Sequence, residues 1–399
     1  IPQNTCFIVE HAQMCLDDGE VGWLTVKKEI IDFAEVNITM MKIKLLFFIV
    51  LCVISLTSCD ERKYFAFENV VYVNAFPAEY MLSEPTMLDF GVIGIQGMEV
   101  LDDYIVLSCY DERGCLSVFN KNGTLVSKPF LNIGRGPGEI LYQPFISWFD
   151  FHCNEDGQII AGIFDFKGNY LEYDVNESIR IGYASWRCVA DSLSLLSGSR
   201  YLTTSDDTFL CRRKNKEDTG YERSEMDRSG RQYSNGAMDY LNSITSSESN
   251  LLSTLFLVNE DRKIIAELAS RLSVVHLYSL ENDFQRTVSY GNKLEEIKEI
   301  ESRQPDEMPK AYYDGKAFDD FFVGLYLGVT MGEFDEERFQ QSHLHFFRWN
   351  GEPLLKISVP VRTLYFDVDV NEKQLYIVEN DTEKILRYDI SDVIDGIGA

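Results

Sequence analysis

Between about residue 94 and residue 392 the chain keeps returning to one pattern. A polar turn is followed by a short apolar strand, a second turn, and another strand ending in an Asn-Gly- or Asp-Gly-like corner. Leu101-Asp-Asp-Tyr-Ile-Val-Leu leads to Leu116-Ser-Val-Phe-Asn-Lys-Asn-Gly-Thr-Leu-Val126, and Asp156-Gly-Gln-Ile-Ile-Ala leads to Gly168-Asn-Tyr-Leu-Glu-Tyr-Asp174. Gly198-Ser-Arg-Tyr-Leu-Thr-Thr leads to Thr208-Phe-Leu-Cys-Arg-Arg213, and Lys373-Gln-Leu-Tyr-Ile-Val leads to Lys384-Ile-Leu-Arg-Tyr-Asp389. Apolar and polar residues alternate along these strands, and Asn-Gly or Asp-Gly marks a hairpin. Units of several strands recurring every ~40–50 residues are the sequence form of a propeller. One four-stranded blade cannot cover both of its faces, whereas a ring of stacked blades can. The expected fold is therefore all-β, a six-bladed β-propeller. Its units lie near residues 94–130, 145–185, 190–215, 255–292, 321–359 and 361–392. The competing arrangement is a pair of sandwiches or an open array.

Val70-Val71-Tyr72-Val73 has no hairpin partner nearby. It is expected to complete the last blade and close the ring, opening a propeller domain that spans residues 70–399. One or two inter-blade insertions interrupt the pattern. Residues 212–250 are polar and rich in Ser, Asp and Arg, which predicts a long loop or insertion between the third and fourth units. Within residues 292–316, Leu294, Ile297 and Ile300 recur at helical spacing and predict one short helix on a connection. Residues 59–69, charged and aromatic at their start, read as a tether.

Composition narrows the partners. Aromatic residues make up 13% of the chain and suit half-buried pleated strands. A formal net charge of −27 argues against nucleic acid, whose phosphates demand basic surface. The same acidity argues against a polybasic membrane patch. Beyond Cys59 the cysteines are Cys109, Cys115, Cys153, Cys188 and Cys211, an odd set with no CxxC. Cys109 and Cys115 could sit on neighbouring strands and form one disulfide; the other reading is small buried hydrophobes.

The N-terminal region carries a different signal. Met41-Lys-Ile-Lys-Leu-Leu-Phe-Phe-Ile-Val-Leu-Cys-Val-Ile-Ser-Leu-Thr-Ser-Cys59 has a basic start, a short apolar run and small residues at its end, the anatomy of a signal peptide. The run is shorter than the roughly 20 apolar residues a membrane-spanning helix needs. Leu56-Thr57-Ser58-Cys59 resembles the lipobox of bacterial lipoproteins. The resemblance implies that residues 41–58 are a lipoprotein signal peptide and that Cys59 is the lipid attachment site. Residues 1–40 then read as non-native upstream translation, with the start at Met40 or Met41.

Three stretches extend the resemblance to a family. Asn132-Ile-Gly-Arg-Gly-Pro-Gly-Glu139 is similar to the Gly-x-Gly-Pro-Gly-Glu turn of NHL-like propellers. Phe321-Phe-Val-Gly-Leu-Tyr-Leu-Gly328 with His345-Phe-Phe-Arg-Trp-Asn-Gly351 resembles the penultimate blade of TolB-like six-bladed β-propeller lipoproteins of Bacteroides-type bacteria. Leu375-Tyr-Ile-Val with Ile385-Leu-Arg-Tyr-Asp389 resembles their last blade. The match departs at Arg348, where an acid is common, and at Ile140, where Phe is common. It implies a lipid-anchored cell-envelope protein, placed at the outer membrane, more than it implies any chemistry.

Candidate sites are few. Gly134-Arg-Gly-Pro-Gly-Glu139 lacks the frame of a phosphate loop, and no helical pattern follows it. Gly134, Gly136, Pro137 and Gly138 read as a structural turn; Arg135 and Glu139 are the ligand-binding candidates. His343 and His345 share a strand face at zinc-compatible spacing, but no third ligand is apparent, so no metal and no cofactor is expected. No nucleophile elbow, zincin motif or dinucleotide fingerprint occurs, so catalytic residues stay unassigned. The expected function is a non-catalytic binding or scaffold module held at the envelope by lipid, with an envelope protein or saccharide as partner. The alternative is an envelope hydrolase or lyase that acts on glycans through carboxylates in the propeller funnel.

Overall fold

The computed structural model describes residues 62–397, except 110–113, 128, 143–148, 155, 192–199, 206–207 and 340. The expected upstream stretch, the expected signal peptide and the expected lipid site Cys59 lie outside the described residues. Among the described residues no helix is long and apolar enough to cross a membrane.

Six blades form a ring. Blade I holds Ile95–Leu101, Tyr104–Cys109 and Leu116–Asn120, and blade II holds Asp150–Cys153, Ile159–Phe164, Tyr170–Asp174 and Ser185–Ala190. Blade III holds Arg200–Ser205, Thr208–Lys214, Tyr221–Asp227 and Gln232–Tyr233. Blade IV holds Thr254–Asn259, Ile264–Ala269, Val274–Ser279 and Gln285–Tyr290. Blade V holds Pro309–Ala317, Phe321–Thr330, Ser342–Arg348 and Pro353–Val359, and blade VI holds Thr363–Asp369, Gln374–Glu379 and Lys384–Asp389. Each blade is an antiparallel meander read from its first, innermost strand outward. The inner strands of blades II, III, IV, V, VI and I touch one another in that order around the axis.

Burial follows the stacking. Six hydrophobic clusters of buried side chains occupy the six junctions between neighbouring blades. The V–VI cluster includes Phe346, Ile357, Phe366 and Ile377, and the I–VI cluster includes Met98, Leu107, Tyr376 and Val378. The turns are fixed locally. The side-chain oxygen of Asn120 accepts from the amides of Asn122 and Thr124, both at 3.0 Å, and Asp165 does the same for Lys167 and Asn169 at 2.7 and 3.0 Å. Asn and Asp therefore act here by capping their own hairpins.

The N-terminal segment follows a path that corrects the sequence reading. Val70–Val73 pairs in parallel with Gln285–Tyr290, the outer strand of blade IV, and not with the last blade. Glu79–Met81 then adds in parallel to the outer strand of blade V. Thr86–Leu88 pairs antiparallel with Lys384–Asp389, so this short strand closes the ring on blade VI. The expected closing strand exists, but it lies sixteen residues beyond Val70, at Thr86. Local pairing could not locate it, because every partner of this strap is more than 200 residues away in sequence.

Three further readings shift. The tether reading fails at Phe65, Ala66 and Phe67, which are buried; the Phe67 amide donates to Thr287 Oγ1 at 2.8 Å. The region 212–250 is no plain insertion, because Tyr221–Asp227 and Gln232–Tyr233 complete blade III before helix Gly236–Asn242 leads to blade IV. The expected short helix appears as Ile297–Glu301 with Ile297 and Ile300 buried, yet the inner strand of blade V begins inside the same stretch, at Pro309.

Candidate ligand-binding groove

The Gly-rich turn joins blade I to blade II and is held in place by both. Gly134 donates to the carbonyl of Ile140 at 2.8 Å, and Ile140 donates to that of Asn132 at 3.0 Å. Lys167 Nζ donates to the Gly136 carbonyl at 2.9 Å, and the buried Tyr173 hydroxyl donates to the Gly138 carbonyl at 2.7 Å. Gly138 adopts φ +70° against the Trp186 ring, so a side chain there would be both strained and blocked. A Cβ at Gly136 would come within 2.9 Å of Glu139 Oε2, and one at Gly134 would collide with the same carboxylate. The glycines are needed because the Glu139 side chain folds back over them.

That fold-back separates the two predicted ligand contacts. Glu139 Oε2 accepts from the Gly136 amide at 2.6 Å, so one carboxylate oxygen serves the loop. Arg135 is exposed at the tip, with no hydrogen bond or ion pair to a described residue. Both belong to one loop, but Arg135 gives none of its polar group to that loop, whereas Glu139 gives one oxygen.

The loop forms one side of a groove of about 570 Å³ at the outer rim. Pro129, Phe130, Leu131 and Asn132 of blade I line it on one flank, with Pro137, Gly138 and Glu139 below; Tyr183, Ala184 and Trp186 form the other flank. Helix Val175–Ile181 builds that second flank. Asp174 caps its start by accepting from the Glu177 amide at 2.8 Å, and Gly182 ends it in the left-handed region at φ +78°. The chain thereby turns Tyr183 outward, 68% exposed, and enters the edge strand that carries Trp186, 39% exposed. Ser178 Oγ accepts from the Ser185 amide at 2.9 Å and ties that strand to the helix. Sequence reasoning missed both aromatics. The available signal was two large rings in Gly182-Tyr-Ala-Ser-Trp-Arg187, at the end of the second unit.

A second polar constellation lies inside the ring, where blades I, V and VI meet. Lys316 pairs with Glu99, donates to the Met98 carbonyl at 2.8 Å and lies 3.8 Å from Asp367. Asp367 accepts from the Val100 amide at 2.7 Å, and Asp314 Oδ1 accepts from Gly315 at 2.9 Å while Oδ2 is buried without a partner. Burial raises Asp314 to about 6 and Asp367 to about 8, with Lys316 opposing both shifts. Asp314 and Asp367 are each only 3% exposed, so the cluster bridges blades and does not line an open funnel.

The paired histidines sit on blade V with ring centres 6.3 Å apart. His345 is fully buried among Phe76, Tyr290 and Tyr326; its Nδ1 meets the Tyr312 hydroxyl at 3.2 Å. Burial, then His343 and Lys356, hold it well below the usual histidine range. Among the described residues no three His, Cys, Asp or Glu side chains gather as a ligand set. Cys109 and Cys115 are neighbours, the Cys109 amide donating to the Cys115 carbonyl at 2.9 Å, but no disulfide joins them. Cys115 is pushed up to about 12, by burial first.

Solved structures with similar folds lie far off in sequence. A member of the DUF4221 family from Bacteroides vulgatus is 11% identical, with a TM-score of 0.48 over 77% of this chain and 94% of that one. An auxiliary nutrient binding protein from Bacteroides ovatus is 8% identical, with a TM-score of 0.42 over 74% of this chain and 69% of that one. Neither likeness bears on ligand or activity. No protein-family profile matches the chain, and no curated protein matches its sequence.

Proposed function

We propose that this chain is a non-catalytic binding module of the cell envelope that offers the blade I–II groove to a saccharide. The observation that carries the reading is the pair of outward rings, Tyr183 and Trp186, set beside Asn132 and Glu139 in the groove, with exposed Arg135 on the same loop. A pyranose ring presents a C–H face that packs on an aromatic surface and hydroxyls that need polar partners. Small-ligand sites commonly combine aromatic walls with a few convergent polar groups, in volumes of roughly 300–1,000 Å³. Trp adds an indole N–H to its large contact area. In this reading Cys59 carries the lipid, residues 41–58 are removed, and the propeller stands at the outer membrane as one of the TolB-like lipoproteins. An acyl anchor would hold it there without a spanning segment.

Titration with a panel of oligosaccharides tests the groove, read by calorimetry and by tryptophan fluorescence. Binding that falls from a few-fold to about tenfold in Trp186→Ala is the expected result, since a lost aromatic contact costs about 0.5–1.5 kcal/mol. No binding across the panel, or unchanged affinity in the variant, overturns the assignment. Membrane fractionation of Cys59→Ser tests the anchor separately: release into the soluble fraction is expected.

A second reading, glycan hydrolysis or lysis, has one observation in its favour. Asp314 and Asp367, both with raised titration, converge with Glu99 on Lys316, the kind of grouping found at catalytic sites. Their burial weighs against it, because a glycan must reach the acids. Turnover of any glycan that disappears in Asp367→Asn would favour this reading over binding alone.

A further inference from the structure

Two basic side chains meet where blades IV and V join, well away from the rim groove in sequence. Arg271 lies in the second turn of blade IV, and Lys310 lies near the start of the inner strand of blade V. The Ala311 amide donates to the Ser270 carbonyl at 2.9 Å, which sets the two basic residues beside each other. In an antiparallel blade, the second turn and the link to the next blade leave by the same end. Both residues therefore stand on one face of the ring, with Lys310 on a strand that surrounds the axis. Helix Met331–Asp335, in the second connection of blade V, covers Lys310 from above. The ammonium lies 4.8 Å from the ring centre of Tyr313 and 5.1 Å from that of Phe334.

Neither charge is answered. Arg271 Nη1 is buried and meets no hydrogen-bond partner among the described residues. Among those residues neither side chain has a carboxylate within ion-pair distance. Glu248 and Asp335 are the opposing charges that act on Arg271, and Asp335 alone acts on Lys310, both from farther off. Several other well-covered cations in this acidic chain are paired, Lys121 with Asp369, Lys316 with Glu99 and Arg362 with Asp381, while buried Arg212 donates to Thr254 instead. Like charges held close in a partly dry setting destabilise each other. Burial, then Arg271, bring Lys310 down to about 8, and burial also lowers Arg271.

We propose that Arg271 and Lys310 form an oxyanion site at this face of the ring. The guanidinium and the ammonium would take a carboxylate, sulfate or phosphate group through charge-assisted hydrogen bonds. The planar guanidinium suits two-point contact, the ammonium serves as a point charge, and Tyr313 and Phe334 hold the latter in place. The site is independent of the rim groove and stands whether or not that groove binds sugar.

Calorimetric titration of the purified chain with sodium glucuronate, sulfate and phosphate provides the test, with sodium chloride at matched ionic strength as control. The expected result is saturable binding to at least one oxyanion, weakened about tenfold or more in Lys310→Met and in Arg271→Gln, the loss of a charged hydrogen bond. Binding should also weaken from pH 7 to pH 9 as Lys310 discharges, while Arg271 stays charged. Preference for glucuronate would identify a carboxylated sugar, and preference for phosphate or sulfate an inorganic or ester group. Either preference supports the site. Lys310→Met should melt no lower than wild type without added anion, because it removes a poorly solvated charge. A variant melting far below wild type would make Lys310 a structural counter-charge and sink the proposal. So would an oxyanion effect equal to that of chloride, or one that survives both substitutions.

Discussion

The two halves of the ring treat their outer edges differently. Blades IV, V and VI each receive an added strand from one continuous segment, Val70–Val73, Glu79–Met81 and Thr86–Leu88 in turn. Blades I, II and III must finish their own edges. The outer segment of blade I is held by isolated bridges at Leu125 and Phe130, and that of blade III shrinks to Gln232–Tyr233. Blade II ends in Ser185–Ala190, which faces solvent. An open sheet edge invites pairing with another chain, and covering it removes the template. Exposed large apolar side chains occur on both halves: among the described residues Tyr72, Met81 and Met87 lie on the strap's own strands, and Leu125, Ile133, Tyr142, Tyr183, Trp186 and Tyr233 lie on the bare half. One strap thus closes the ring and shields three edges, and the candidate groove forms on the rim that it leaves bare.

Removing the strap should break this difference most severely. Deleting residues 62–81 takes away two added strands together with Phe65, Phe67, Val73 and Phe76, all buried. The expected outcome is loss of cooperative unfolding in urea, with blades IV and V exposing their edges and aggregating. Retention of a single wild-type-like transition would show the strap to be an accessory. A smaller step tests one anchor. Phe67 is 1% exposed and packs near Tyr240, His276 and Tyr278. Phe67→Ala should cost about 3–5 kcal/mol by the usual penalty for emptying a core aromatic site. Tyr233→Ala on the bare half should change stability by roughly 0.5 kcal/mol or less.

The comparison also shows what could be read from sequence. Blades whose strands are local hairpins were legible, because alternation and the Asn-Gly corners at Asn122-Gly123 and Asn350-Gly351 act over a few residues. The strap was not. Val70–Val73 was recognisable as a strand, but its partner Thr287–Tyr290 is chosen by burial across the finished ring. Thr86–Leu88 is three residues long and carries no periodicity to read. At the groove, the turn Gly134–Glu139 was legible from its glycines, while the aromatic flank depended on a helix stop at Gly182 that orients Tyr183 and Trp186. The Lys316 cluster was invisible for another reason: its members come from three blades, and only closure of the ring brings them together.

Changes in pH should act on the strapped half. His276 and His345 lie in blades IV and V, Asp314 in blade V and Asp367 in blade VI. Burial lowers His276 to about 3, and it holds both aspartates above their usual 3.8. Each aspartate keeps its proton longer when folded, so its contribution is fully present below about pH 4 and is lost as pH rises through about 6 and 8. The histidines run the other way. They stay neutral when folded, so stability is lost as pH falls below the usual 6.5. The urea midpoint should therefore be highest near neutrality or slightly below it. It should fall between pH 6.5 and 9 with unchanged slope, and Asp367→Asn should flatten that alkaline fall. Identical midpoints at pH 6.5 and 9 in wild type would mean that Lys316 keeps both acids ionised at no cost.

The smallest effect on stability belongs to the bare rim. Arg135 is exposed and makes no contact that the loop needs, whereas Glu139 holds the Gly136 amide and Gly138 admits Trp186. Arg135→Ala should leave the melting temperature unchanged within error, since exposed sites free of special contacts tolerate substitution to within about 0.5 kcal/mol. Gly138→Ala should lower it, through strain at positive φ and displacement of the indole. If the groove takes a saccharide, both variants should weaken capture, for different reasons: one loses a polar contact and the other loses the shape of the flank. Glu139→Gln separates these causes. It keeps an oxygen for the Gly136 amide, so the loop should survive while any contact that needs a full carboxylate is lost. A variant series in which Arg135→Ala melts low and still binds would move Arg135 from the ligand to the loop, and would leave Tyr183, Trp186, Asn132 and Glu139 as the groove's ligand contacts.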